Sequence, residues 1–138
     1  MKSKTLFSVS AGVISFALAC PVFSQESHTF NLRVACRKPA DGRGCTADNI
    51  VCANAPQGKY FAAGQSTSGE IASINSPRTH WCREATTGGQ GVPVGGLLAP
   101  TSMCASLHAE SGGGYDQIGQ EFYIDCSYTT TVYQIPSE

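Results

Sequence analysis

GQEFYIDCSYTTTVYQI, residues 119–135, carries the longest strand signal in the chain. Phe122, Ile124, Cys126, Tyr128 and Val132 share one parity, opposite Tyr123, Asp125, Ser127, Thr129, Thr131 and Tyr133. Successive side chains point to opposite faces of a strand, so this alternation predicts one face in a core and the other in water. Residues 28–36 repeat the pattern: Phe30, Leu32, Val34 and Cys36 fall on one side, Asn31 and Arg33 on the other. Shorter strand candidates lie at 49–53, 59–63, 70–74 and 79–84, and 101–110 is a longer one. No capped window of helical period stands out; one short helix fits Thr46–Cys52, with Thr46 or Asp48 as its cap. The expected fold is all-β, a small disulfide-stabilised sandwich or barrel-like domain with at most that helix.

The cysteines set the compartment. Lys2 and Lys4 precede an uncharged apolar run from Thr5 to Ala19, and Pro21 breaks it. Val22-Phe23-Ser24 then suits cleavage before Gln25, so residues 1–24 read as a secretory signal peptide and 25–138 as a single domain. Cleavage before Cys20, with a lipid on that cysteine, is the minority alternative. Both leave Cys36, Cys45, Cys52, Cys82, Cys104 and Cys126, an even set that predicts three disulfides in a periplasmic or extracellular protein. If strands 101–110 and 119–128 form a hairpin centred on Tyr115, Cys104 lies opposite Cys126, and the other four pair in one of three ways. Residues 86–96, rich in glycine, read as a flexible surface loop.

Residues 25–138 hold seven Lys plus Arg against ten Asp plus Glu. So mild an acidity excludes the basic stripe that nucleic acid needs, and excludes attraction to anionic membranes. The apolar run at the N-terminus is shorter than the roughly 20 residues of a spanning helix, so no membrane span is expected.

Chemistry-bearing residues are few. His108 and Glu110 point the same way on an alternating strand, and with Asp116 they form the one acid–base candidate. His108-Ala109-Glu110 resembles the H-x-E fragment of zinc deaminases but lacks their Pro-Cys-x-x-Cys half, so no metal and no cofactor are expected. His80-Trp81-Cys82 reads as half a bridge beside a core tryptophan.

Two looser resemblances remain. Arg33, Ser66-Thr67-Ser68 and Glu121 follow the order of the Arg…Ser-Thr-Ser…Glu layout of ADP-ribosylating toxins, without their paired Glu-x-Glu or Gln-x-Glu. Ser111-Gly112-Gly113-Gly114-Tyr115 fits S-G-x-x-Y and resembles the inhibitory loop of small periplasmic lysozyme inhibitors, which implies a binding loop on a rigid scaffold. The leading expectation is a binding or inhibitor module for a protein or glycan ligand, with Ser111, Tyr115, His108 and Glu110 as contacts. Tyr123 and Tyr133 would extend the contact face. The alternatives are a small secreted enzyme or toxin-like protein, using His108 and Glu110 or Arg33 and Glu121, and a surface-assembly subunit pairing through the 119–135 strand.

Overall fold

The computed structural model describes residues 24–136, except for the burial of Gly89 and the side chain of Gln90. The expected signal peptide and Cys20 lie outside the described residues. The described chain is all-β. Its strands are β1 (Gln25–Arg37), β2 (Thr46–Asn54), β3 (Lys59–Tyr60), β4 (Ser66–Thr67), β5 (Gly69–Asn75), β6 (Trp81–Cys82), β7 (Ala85–Val94), β8 (Leu97–Glu110) and β9 (Glu121–Gln134).

Two antiparallel sheets pack face to face. In one, β9 is central: β1 lines its whole length on one side, from Gln25 opposite Tyr133 to Arg37 opposite Glu121, and β5 and β3 share the other side. In the second, β8 is central between β2 on one side and β7 with β6 on the other, and β4 adds to β7. The alternation read from the sequence sets the core. Phe30, Leu32 and Val34 of β1 and Ile124, Cys126, Tyr128 and Val132 of β9 are buried in one cluster with Met103, Ala105, Leu107 and Ala109 of β8 and with Phe61, and Phe122 of β9 is buried as well. Phe30 stacks on Tyr128 at 5.3 Å and meets Phe61 edge-on at 6.4 Å.

Four expectations need correction. Strands 101–110 and 119–128 do not pair as a hairpin; β8 and β9 belong to different sheets, and the chain crosses between sheets through residues 111–120. Parity explains this. The inward residues of β8 are odd-numbered and those of β9 even-numbered, so Cys104 faces outward while Cys126 is fully buried. Cys104 therefore bonds Cys52, its direct partner on β2, with a Cα–Cα distance of 4.0 Å. Cys126 bonds Cys82 of β6 and staples the two sheets, and Cys36–Cys45 closes the β1–β2 loop.

Thr46–Cys52 is strand, not helix, because β8 supplies a full-length partner for it. Residues 86–96 are likewise not a flexible loop. They form most of β7, a turn at Gly95-Gly96, and the return into β8. Both turn glycines have positive φ (59° and 82°), as the tight turns that suit strand twist require. Gly91 sits at a bulge where a side chain would collide with the Ala99 carbonyl. Lastly, β9 is not free to pair with another chain. Even between β5 and β3 its edge is covered, because Gln65 donates to Thr130 Oγ1 and the Thr131 carbonyl, and Thr67 Oγ1 to the Thr129 carbonyl.

Candidate functional site

The C-terminal end of β8 gathers all four predicted contact residues into two neighbouring groups. Outward parity puts His108 and Glu110 on the exposed face of their sheet, where His108 Nε2 lies 2.6 Å from Glu110 Oε1. A carboxylate can only accept, so Nε2 carries the proton and donates it. Nδ1 faces Asp48 Oδ2 at 3.5 Å across the β2–β8 register without forming a hydrogen bond. Trp81, opposite His108 on β6, stacks flat over the imidazole at 4.1 Å, with the Arg83 guanidinium 4.8 Å from the indole centre. Beneath that cover His108 is only 5% exposed. Trp81 Nε1 and His108 Nδ1 are both buried without a hydrogen-bond partner. Trp81 thus packs on the outside of its sheet while its neighbour Cys82 turns inward to Cys126.

Ser76 docks beside the pair, bonding both the N–H and the carbonyl of Glu110. One residue on, the strand ends at Ser111. This serine is buried: its Oγ accepts from Cys45 N–H at 2.8 Å and its own N–H donates to the Cys45 carbonyl. Ser111 therefore anchors the loop, and Tyr115 is the residue the loop presents, at 77% exposure.

The loop is held along its length. Gly114 N–H bonds the Gly42 carbonyl, Gly119 N–H the Lys38 carbonyl, and Lys38 N–H the Gln120 carbonyl. Lys38 is 4% exposed and its ammonium donates to the Asp116 carbonyl at 2.7 Å. Arg37 donates to the Gly119 carbonyl. Gly42 gives Tyr115 a place to lie, since a side chain there would press on the ring, and Gly112 likewise makes room for Arg78. Lys38, Arg37 and Arg78 were not singled out by sequence reasoning, and Asp48 only as a helix cap, not as a site residue. Asp48 is identified only by its register opposite His108, and Lys38 only by the fold of the loop above it.

Of the other sequence candidates, Arg33, Glu121, Tyr123 and Tyr133 lie apart on the outer face of the β9 sheet. Arg33 bonds Glu121 at 2.6 Å and Asp125 at 3.4 Å, and its guanidinium rests 3.9 Å over the Tyr123 ring. The cation is thus already held by two carboxylates and an aromatic face. Ser66 and Thr67 form β4 in the opposite sheet, and Tyr133 stacks on Tyr60. No cluster of three or more His, Cys, Asp or Glu arranged for a metal occurs among the described residues.

The fold and this site define a three-disulfide β-sandwich that carries a braced glycine-rich loop on one end. No protein-family model matches the chain, and no curated protein or solved structure is significantly similar to it. Three disulfides place such a domain in an oxidising, extracytoplasmic compartment.

Proposed function

We propose that the protein is an exported binding or inhibitor module that engages a protein or glycan ligand through the 111–120 loop, with Tyr115 as its anchor. One observation carries this reading: Tyr115 stands 77% exposed on a loop whose backbone makes six hydrogen bonds with the 37–45 segment, two of them from the side chains of Lys38 and Arg37. A loop ordered before binding loses little entropy on contact, and large aromatic side chains are common anchors of interfaces. His108 supports binding over catalysis, because it is covered by Trp81 and both its nitrogens face carboxylates. The resemblance of Ser111–Tyr115 to the lysozyme-inhibitor loop names the first ligands to try.

The test measures binding and inhibition of lysozymes of different types, then binding to an array of bacterial cell-wall glycans, by the wild-type protein and by Tyr115→Ala and His108→Ala. Tyr115→Ala is expected to weaken binding at least about tenfold, as loss of an anchor does. His108→Ala should leave it within a few-fold. A folded His108→Ala protein that loses all activity, or a Tyr115→Ala protein that binds like wild type, would overturn the proposal.

A further inference from the structure

At the opposite end of β8 the β7–β8 ribbon outruns the sandwich. On its outer edge β4 reaches only Ala85 and Thr86, and β2 ends opposite Ser102, so the last turns of the ribbon have no flanking strand. From Gly91 to Pro100 no residue has a polar side chain, and from Ala85 to Leu107 there is no Asp, Glu, Lys or Arg. Leu97 and Leu98 are 77% and 71% exposed, and as neighbours on a strand they point to opposite faces of the ribbon. A groove of about 620 Å³ beside the tip continues the uncharged surface, lined by Ala63, Gly64, Thr87, Gly88, Leu98 and Pro100 among others.

Two features narrow what this tip meets. Pro93 is opposite Leu98 and brings no N–H to the outer edge of β7, which spoils that edge as a template for an added strand. The tip also has no side-chain donor, acceptor or charge with which to fix its orientation on a protein, whereas specific protein interfaces carry about one hydrogen bond per 100–200 Å². A lipid surface asks for neither. The apolar tip from Val94 and Leu97 back to Gly91 and Pro100 spans roughly 10 Å at ~3.3 Å per residue. That matches the ~5–10 Å to which apolar faces enter a bilayer interface. Behind it, Thr87 and Ser102 stand at headgroup level. Neither strand of the ribbon carries a Lys or Arg, so nothing on it draws the tip to anionic headgroups.

We propose that the β7–β8 tip is a membrane-contact element that sets Leu97 and Leu98 into the interfacial layer of a zwitterionic bilayer while the sandwich stays in water. Protein recovered from the exported fraction is mixed with phosphatidylcholine vesicles and floated at low and high salt. Wild type should float at both, and the Leu97→Ser/Leu98→Ser double variant should float at least about tenfold less. The variant's fold is checked by its three intact bridges and unchanged Trp81 fluorescence. Wild type that stays in solution, or a variant that floats equally, overturns the proposal. So does binding that disappears at high salt. A leucine-dependent dimer without flotation would instead assign the tip to a second copy of the chain.

Discussion

The two ends of β8 lie roughly 43 Å apart at ~3.3 Å per residue, and they are built on opposite plans. Both are rich in glycine. At the Ser111 end the glycines sit in a polar loop that is bonded to a neighbouring segment by backbone and by two buried or bent-over cations. At the Leu97 end the glycines make a tight turn on a ribbon with no neighbour beyond Ala99 and Pro100. Glycine density therefore says little about order. What decides it is whether the backbone groups that glycine leaves uncovered find partners, and the two ends find them differently: across a loop–loop seam in one case, within a two-stranded ladder in the other.

The largest expected effect should not distinguish the ends. The Cys82–Cys126 bridge spans 44 residues and ties sheet to sheet. On the chain-entropy model its loss costs about 4 kcal/mol, against about 2.5 kcal/mol for the nine-residue Cys36–Cys45 closure. Denaturant unfolding of Cys82→Ala/Cys126→Ala should show that large loss, with amide exchange accelerated at both ends of β8. Cys36→Ala/Cys45→Ala should show a smaller loss, with exchange accelerated only around 37–45 and 111–120. Equal acceleration at both ends in the second variant would mean that the loop seam is not a local structure.

Lys38→Met comes next. It removes a charge-assisted bond and leaves the Asp116 carbonyl without its donor, at a cost of about 1.5–3 kcal/mol. The comparison predicts faster exchange at Gly114 and Gly119 and no change at Val94 or Leu97. If stability falls but loop exchange does not, Lys38 supports the core rather than the loop.

Much of this plan was legible in the sequence, and the failures share a cause. The parity of 119–135 and 28–36 gave the core residues of β9 and β1, because a period of two needs no partner to be read. The same parity, applied to β8, would have placed Cys104 outward and excluded Cys126 as its partner; proximity in sequence suggested a hairpin instead. The glycine run hid a strand because Gly-Gly between Val94 and Leu97 is a hairpin turn signal, outweighed by Gly88, Gly89 and Gly91 just before it. At the candidate site, local spacing was enough to place His108 beside Glu110 and Tyr115 on an exposed loop. The burial of Ser111 was not legible, since it depends on Cys45, 66 residues away. Asp48 and Lys38 were out of reach for the same reason.

Tyr128 lies between the two ends and couples to neither. Burial raises its phenol above the ordinary tyrosine value of about 10, and its hydroxyl donates to the Arg83 carbonyl at 2.7 Å. The folded state thus holds this proton more tightly than the unfolded one. Its stabilisation is complete below about pH 10 and is lost as pH rises through the raised folded value. Tyr128→Phe should cost about 1 kcal/mol at neutral pH through the unpaired carbonyl, and should flatten the alkaline decline expected of wild type as pH rises above about 10. A steeper decline in the variant would contradict the assignment.

The smallest effects give the finest comparison. Tyr115→Ala and Leu97→Ser/Leu98→Ser remove the most exposed large side chains at each end, so each should change unfolding stability by no more than about 0.5 kcal/mol. They should differ in a second respect. Tyr115 lies on Gly42, whose carbonyl accepts from Gly114, so trimming the ring should speed exchange at Gly114 measurably. Leu97 and Leu98 cover nothing, and their loss should leave every amide of the ribbon unchanged. Exchange measured residue by residue on the two variants separates a residue displayed by its loop from residues displayed by a bare strand. Were the ribbon amides to open in the leucine variant, the tip would prove to hold the ribbon together, and its exposed leucines would need no partner outside the molecule.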